Sequence, residues 1–324
     1  MNTADGVEAA GCDPVDYRYM HQPLPHPIMT SLDPKAPAIS KLHMFCGVML
    51  LTTPGAAVPA FGLPLAMWTG ENDITIPEHL YRIIVWASTI LALTVPTVVG
   101  VLLAPPIGLQ APVVEKLLRG QPVHDALRPL IFTSIKVALL ASVIQTLQWW
   151  PWWEWSDDPT PPEDASMQIS DELSLVIEVT YAANFTEIFA RWGGMSLLVW
   201  VLWRLVQQGK GHTLPGVVWA GNVSAAVIWG VVMYATNWHL TNGYVEWTNT
   251  AFGVSKPVWA ALEEGQNTVA GVGFGWLFWR RGLEAAMLAH ILKSLLCYCF
   301  YALLGMFKLD RRHDIEGCTA NRRL

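Results

Sequence analysis

Ionisable side chains lie within or at the end of three apolar stretches of this sequence. Glu187 and Arg191 stand four residues apart, His290 lies in the apolar stretch that follows Arg280–Arg281, and His239 closes a third. A charged group at bilayer depth costs roughly 2.5–3.5 kcal/mol on insertion scales, so such residues indicate a functional site. A carboxylate and an imidazole held together could exchange protons with a bound water.

The pair Glu187 and Arg191 has two interpretations. At a spacing of i and i+4 the side chains can form an ordinary intrahelical ion pair, which on a soluble surface stabilises by only a few tenths of a kcal/mol. In an apolar segment the pair favours a helix face that lines a polar cavity, because an isolated charge there would be costly.

His290 is followed one turn later by Lys293 and Ser294, so polar atoms share one face of the last long helix. A single buried histidine is usually structural. Beside Lys293 that interpretation requires a counter-charge, which Glu187 or Glu178 offers if the helices pack together.

The remaining polar positions are less specific. His239 follows Trp238 at a predicted helix end, so a water-facing interfacial imidazole and a buried catalytic one both stay open. Glu284 can pair with Arg280–Arg281 and is interpreted as structural. The sequence contains no HExxH, GxSxG or phosphate-binding loop. It predicts neither a metal site nor a cofactor.

The composition indicates that membrane-spanning helices position these ionisable groups. The chain has 324 residues, of which 52% are hydrophobic and 14% charged, and it contains 17 tryptophans. This is typical of a polytopic membrane protein rather than a soluble domain. Apolar runs of the roughly 20 residues that a crossing requires lie at 43–67, 82–106, 129–150, 185–206, 216–236 and 282–307, with a shorter one at 268–279.

The fold prediction is an all-α, polytopic transmembrane bundle of seven or eight helices, with residues 172–184 either extending the fourth crossing or breaking it. A polar segment over 1–42 precedes a transmembrane domain at 43–307, and 308–324 form a basic tail. Apolar residues at helical spacing within 107–124 predict a short helix along the membrane interface.

The charge distribution bears on topology and partners. Basic loops around residues 116–128 and 204–212 belong inside, whereas the turn at 71–73 and the loop at 154–171 are acidic. The basic tail also favours the inside, so either the helix count differs by one or the tail departs from the rule. The net charge of -6 does not suggest nucleic-acid binding. The expected partners are membrane lipids and a membrane-associated peptide or protein.

Two runs resemble a known family: Tyr181 to Leu205 (YAANFTEIFARWGGMSLLVWVLWRL) and Asn267 to His290 (NTVAGVGFGWLFWRRGLEAAMLAH). They are similar to the bacterial branch of the CAAX prenyl protease and bacteriocin-processing (CPBP) family of intramembrane endopeptidases. Residues 111–119 (APVVEKLLR) are similar to the same branch. The resemblance covers about residues 90–305. It implies a helical membrane core with a water-filled cavity, in a bacterial inner-membrane protein.

The family's first motif is a pair of glutamates followed by Arg, the second an aromatic residue with His four positions later, and the third a His followed by Asn or Asp. The resemblance implies catalytic roles for Glu187, Arg191, His290 and Ser294, with His239 as the nearest imidazole to the second motif. In that chemistry a carboxylate takes a proton from water, while histidines position the water and the oxyanion.

Three positions depart from the family pattern. Thr186 replaces the first, water-activating glutamate, Met233 stands where the second motif has its histidine, and Ser294 replaces the Asn or Asp. Loss of a general base typically removes roughly 10²–10⁴-fold of the rate. Glu187 lies about 100° further around an α-helix than Thr186, so it could replace that base only if the helix is rewound near Ala182–Asn184 or at Gly193–Gly194.

Two functions from different classes follow. The first is an active intramembrane endopeptidase that uses Glu187 with His290, and with His239 in a shifted geometry. The second is a proteolytically inactive homologue that keeps the fold and cavity to bind a membrane peptide or partner protein. A transporter is a more distant alternative, since the sequence shows no inverted repeat. The first two differ in whether Glu187 and His290 share a wet cavity within hydrogen-bond reach of a common water, about 2.6–3.2 Å from each. If Glu187 contacts only Arg191 and Lys293, it is structural.

Overall fold

A computed structural model of the chain describes residues 39–61, 77–155, 179, 183–240 and 256–320, and these residues form a helical bundle without strands. The eight helices are α1 (Lys41–Phe61), α2 (Glu78–Leu103), α3 (Pro112–Leu118), α4 (His124–Trp155), α5, α6 (Pro215–Leu240), α7 (Lys256–Arg281) and α8 (Leu283–Ala320). Helix α5 has three consecutive parts, Ala183–Thr186, Glu187–Met195 and Ser196–Gln207. The all-α prediction and its helix number are confirmed.

Among the described residues, four helices are long and apolar enough to cross a membrane. These spans lie within α2, α4, α6 and α8 and have mean hydropathies from 1.4 to 2.0: His79–Leu103, His124–Gln148, Pro215–Ala235 and Leu283–Phe300. Large apolar side chains such as Leu91, Leu140 and Val231 are more than 60% exposed on them, which suits a lipid environment. The predicted runs 185–206 and 268–279 correspond to α5 and α7, which are not among the four.

Some predicted segments fall largely beyond the described residues. Most of the polar segment 1–42, the acidic loop at 154–171 and Glu178 lie outside them. The predicted basic tail at 308–324 is not separate from the last helix, because α8 continues to Ala320.

Small polar side chains join the long helices. On α4, the Ser134 hydroxyl donates to the Ala285 carbonyl at 2.9 Å, and the Ser142 hydroxyl donates to the Lys293 carbonyl at 3.2 Å. The Asn222 amide on α6 donates to the Val272 carbonyl of α7 at 3.0 Å. Because the two serine bonds join rising residue numbers on both helices, α4 and α8 run parallel. Helix α7 precedes α8 in the chain and packs against both α4 and α8.

The junction of α7 and α8 also fixes α3. Gly282 has a φ of 97°, and a side chain there would collide with the ring of Pro112. The Glu284 carboxylate accepts a hydrogen bond from the Val114 amide at 2.8 Å, so it caps the first turn of α3. Sequence analysis predicted that Glu284 pairs with Arg280–Arg281. In the structure its carboxylate instead contacts the Val114 amide, so the predicted partner is wrong. The short helix predicted within 107–124 is present as α3.

The middle part of α5, Glu187–Met195, is a π-helix. The Ser196 amide bonds the Arg191 carbonyl, five residues back, which is the hydrogen-bond pattern of a wider turn. Residues in such a turn rotate less per residue about the axis than residues of an α-helix. The rewinding that the sequence left open therefore occurs here, and it includes Gly193–Gly194.

Helices α2 and α5 touch through Gly193. A Cβ atom there would lie 2.6 Å from the Pro96 Cβ and 2.9 Å from its Cα. Next to it, the buried Trp192 indole donates to the Thr97 carbonyl at 3.2 Å and packs where Gly100 has no side chain. The absence of a side chain at Gly193 thus sets how closely the π-helix approaches α2.

We expect Gly193→Ala to destabilise the protein by about 1–3 kcal/mol, because the methyl group would push α2 and α5 apart. Gly265→Ala is the matched control: it also lies within a helix, but an added Cβ meets nothing within 4 Å. It should leave stability unchanged or raise it by up to about 1 kcal/mol. Thermal unfolding of both variants in one detergent measures the difference. Equal Tm values would contradict this account of the contact.

Candidate functional site

Glu187 joins α5 to α8 through a direct contact with His290. The His290 Nδ1 lies 2.9 Å from the Glu187 Oε1, and the Arg191 Nε lies 3.4 Å from Oε2. An ionised carboxylate only accepts hydrogen bonds, so with Glu187 ionised Nδ1 would donate and Nε2 of a neutral imidazole would be left as the acceptor. The three side chains therefore form one hydrogen-bonded and ionic unit.

Burial differs within this unit. Glu187 has no exposed surface and Arg191 is 3–4% exposed, whereas the His290 side chain is 15% exposed. The Glu187 Oε2 makes no hydrogen bond with described residues beyond its ion pair with Arg191. Of the three groups, only the imidazole presents appreciable surface to a ligand.

Two residues of α7 complete the surroundings of the unit. The Phe274 ring stacks on the His290 ring with centroids 5.0 Å apart and an interplanar angle of 21°, and the Arg191 guanidinium lies 5.8 Å from the same phenyl ring. A Cβ atom at Gly271 would lie 2.7 Å from the Arg191 Nη2. Helix α7 therefore orients the imidazole and leaves room for the guanidinium.

The π-helix begins at Glu187 and ends just before Ser196. It sets the register that places Glu187 against α8 and Trp192 against Phe278 and α2. π-Helical turns are frequent at functional sites. Glu187 therefore contacts His290 directly, in addition to Arg191.

The other predicted site residues are spread around this unit. Ser294 is buried, with 2% exposure, one turn beyond His290, and Lys293 beside it is 5% exposed. Thr186 and Met233 are half-buried. His239 lies in the last turn of α6, and the structure describes its backbone but not its side chain.

Trp229 and Met233, the two positions predicted for the second motif, lie on α6. Its aromatic residue, Trp229, packs on Phe189 of the π-helix with ring centroids 6.1 Å apart. Helix α6 is thereby placed beside the part of α5 that carries Glu187. Met233 lies one turn further along α6 and is half-buried.

Sequence reasoning missed Phe274 and Gly271 as site residues. Both lie within GVGFGWLF, where small residues alternate with large apolar ones. Glycines repeated in an apolar helix are a signal for close helix approach. They do not reveal which side chain from another helix fills the space.

The described residues contain no group of three or more histidine, cysteine, aspartate or glutamate side chains that could hold a metal ion. A buried carboxylate that orients an imidazole instead supports acid–base chemistry, in which Nε2 accepts and returns a proton. The structure thus defines a class: over its described residues, the protein is all-helical, with four potential membrane spans and a buried Glu–His–Arg unit at the meeting point of α5, α7 and α8.

Comparison with known protein families, with curated proteins and with solved structures finds no match for this chain.

We expect Glu187→Gln to lower stability by about 3 kcal/mol or more, because it leaves Arg191 as an unpaired buried charge. The double variant Glu187→Gln/Arg191→Met removes both charges and should recover part of that loss. Thermal or denaturant unfolding of the two single variants and the double variant forms the cycle. Additive effects would show that the two side chains are energetically independent.

Proposed function

We propose that this protein is an intramembrane endopeptidase of the CPBP type, in which His290 activates the hydrolytic water and Glu187 orients His290. The observation that carries the proposal is the 2.9 Å contact between Glu187 Oε1 and His290 Nδ1. It leaves Nε2 as a proton acceptor on the more exposed of the two residues. The resemblance of Tyr181–Leu205 and Asn267–His290 supplies the reaction class.

The reaction requires one proton acceptor and no cofactor. His290 Nε2 takes a proton from water, and the resulting hydroxide attacks the peptide carbonyl carbon to form a tetrahedral oxyanion. The imidazolium then returns the proton to the amide nitrogen as the C–N bond breaks, giving a carboxylic acid and an amine. Glu187 stabilises the imidazolium throughout without reaching the substrate, so it acts as a positioning residue.

The direct contact argues against Glu187 as the water-activating base itself. Its carboxylate is fully covered, and its oxygens face His290 and Arg191. A general base must come within about 2.6–3.2 Å of the proton that it removes, directly or through one water. The imidazole, with 15% of its side-chain surface exposed, meets this requirement more readily.

The second candidate is a proteolytically inactive homologue that binds a membrane peptide or partner protein. The half-buried Met233 favours it, because this thioether cannot donate a hydrogen bond to an oxyanion. Thr186 and Ser294 offer hydroxyls where the family pattern has a carboxylate and an amide or carboxylate. In this alternative the Glu187–His290–Arg191 unit serves only to hold α5 against α8.

The proposed setting is a bacterial inner membrane, with membrane lipids as surroundings and a membrane-associated peptide or protein as substrate. The four apolar spans support integration into a bilayer. An active site at the level of His290 would lie nine residues after Arg281, the last residue of α7, and within the last apolar span. Substrates would therefore reach it from within or beside the membrane.

The test is cleavage of a quenched membrane-peptide library by the purified protein in lipid. We expect cleavage by the parent protein and losses of at least about 10²-fold in both His290→Ala and Glu187→Gln, since a glutamine amide that donates to Nδ1 holds the imidazole in the tautomer whose Nε2 is protonated. The control is His212→Ala, an exposed histidine of the α5–α6 loop, which should cleave at the parent rate.

Other outcomes decide between the two candidates. Cleavage that survives in His290→Ala would contradict the proposed general base. If the parent protein does not cleave the library but the Thr186→Glu/Met233→His variant does, the protein is an inactive homologue that retains the fold. Unfolding of each variant must be followed in parallel, so that lost cleavage is not mistaken for lost folding.

A further inference from the structure

The end of the bundle at the α7–α8 junction carries an excess of basic residues. Gly282 lies against Pro112 at the start of α3, and Trp279 of α7 packs against Trp219 near the start of α6, so these helix ends come together. We define the basic end as residues 104–128, 204–219 and 279–284. Lysine and arginine outnumber acidic residues in it: Lys116, Arg119, Arg128, Arg204, Lys210, Arg280 and Arg281 against Glu115, Asp125 and Glu284.

Two consecutive arginines end α7 within this region. Arg280 and Arg281 lie in its last turn, and both are half-buried. The acidic residue closest to them in sequence, Glu284, accepts a hydrogen bond from the Val114 amide instead. The Arg281 side chain forms no hydrogen bond or ion pair with the described residues. A guanidinium carries several N–H donors, so Arg280 can keep its contacts within the chain and also bind an anion.

Two tryptophans hold the first of these arginines at a defined place. The Arg280 guanidinium lies 4.7 Å from the centroid of the Trp279 ring. Trp279 in turn packs edge-on against Trp219, with ring centroids 6.2 Å apart and an interplanar angle of 79°. Trp219 is 40% exposed. Stacking on an indole stabilises a cation, and indoles favour the headgroup region of a bilayer. The arginine pair therefore belongs at the depth of lipid phosphates.

An exposed apolar stripe continues from Trp219 along α6. Val223, Val227 and Val231 follow at intervals of four residues and are 43%, 47% and 62% exposed. At 1.5 Å per residue, the stripe from Trp219 to Val231 covers about 18 Å. It lies within the apolar span of α6. The order of cations, indoles and valines from the basic end inwards is the order of phosphate, glycerol and acyl chain in a phospholipid.

We propose that an anionic phospholipid binds at the inner end of α6 and α7. Its phosphate contacts the guanidinium groups of Arg280 and Arg281, and one acyl chain follows the valine stripe of α6. Arginine matches phosphate oxygens with paired donors, and the net positive charge of the basic end favours an anionic over a zwitterionic headgroup. The positive-inside rule places the basic end in the cytoplasm, beside the leaflet that carries anionic lipid. This site does not depend on the proposed peptidase.

The experiment compares two lipids on the full chain. The purified protein in neutral detergent is titrated with phosphatidylglycerol and with phosphatidylcholine of the same acyl chains, and native mass spectrometry gives Kd for the first lipid bound. We expect at least about tenfold tighter binding of phosphatidylglycerol, the effect of one charge-assisted hydrogen bond. This comparison uses the parent protein and needs no variant. Equal Kd values for the two lipids would overturn the proposal.

Variants locate the site. Arg280→Gln/Arg281→Gln should weaken phosphatidylglycerol binding at least about tenfold and leave phosphatidylcholine binding unchanged, whereas Arg280→Lys/Arg281→Lys should keep a preference for the anionic lipid. The matched control is Arg128→Gln/Lys210→Gln, which removes the same charge from exposed residues of α4 and of the α5–α6 loop. It should bind phosphatidylglycerol as tightly as the parent does.

Two further results would contradict the site. Equal losses in the two glutamine double variants would mean that the whole basic end attracts anions without a specific place for a lipid. Displacement of phosphatidylglycerol by inorganic phosphate at the same concentration would mean that the site holds a free anion. Tm in neutral detergent shows whether each variant is folded. If the glutamine double variant does not fold, Arg281→Gln replaces it, and a loss of the lipid preference at unchanged Tm supports the proposal.

Discussion

The carboxylate of Glu187, removed from solvent inside the bundle, is the group around which the rest of the site is arranged. Such a carboxylate is tolerated only with cationic or hydrogen-bonding partners. Arg191 supplies one from the same helix and His290 supplies another from α8. The same contacts that satisfy Glu187 fix the tautomer and direction of the imidazole. The contacts that stabilise the buried Glu187 carboxylate therefore also orient the imidazole of His290.

The backbone of α5 makes this arrangement possible. An α-helix would rotate each residue by about 100°, whereas the π-helix over Glu187–Met195 turns less per residue and shifts the register within the bundle. Its conformation is supported on one side by α2, where Gly193 meets Pro96, and on the other by α7, where Gly271 leaves room for Arg191. Small residues on two helices thus determine where a charged side chain can lie.

The sequence predicted much of the fold and part of the site. Apolar runs separated by polar turns predicted the helices, because hydrophobic length and helical periodicity are local properties. Glu187, Arg191 and His290 were identified because charge in an apolar run is visible without a structure. Phe274 was not identified, since a phenylalanine in an apolar helix looks like any core residue until its neighbours are known.

The sequence alone determined the apolar, membrane-compatible character of the helices, the helical class and the identity of the ionisable groups. Each of these follows from residue types and their spacing. Only the tertiary structure decided that Glu187 contacts His290 directly and that Glu284 caps α3. These facts depend on helix packing and on a π-helical register. Both are set by contacts between residues about a hundred positions apart, which local sequence patterns do not encode.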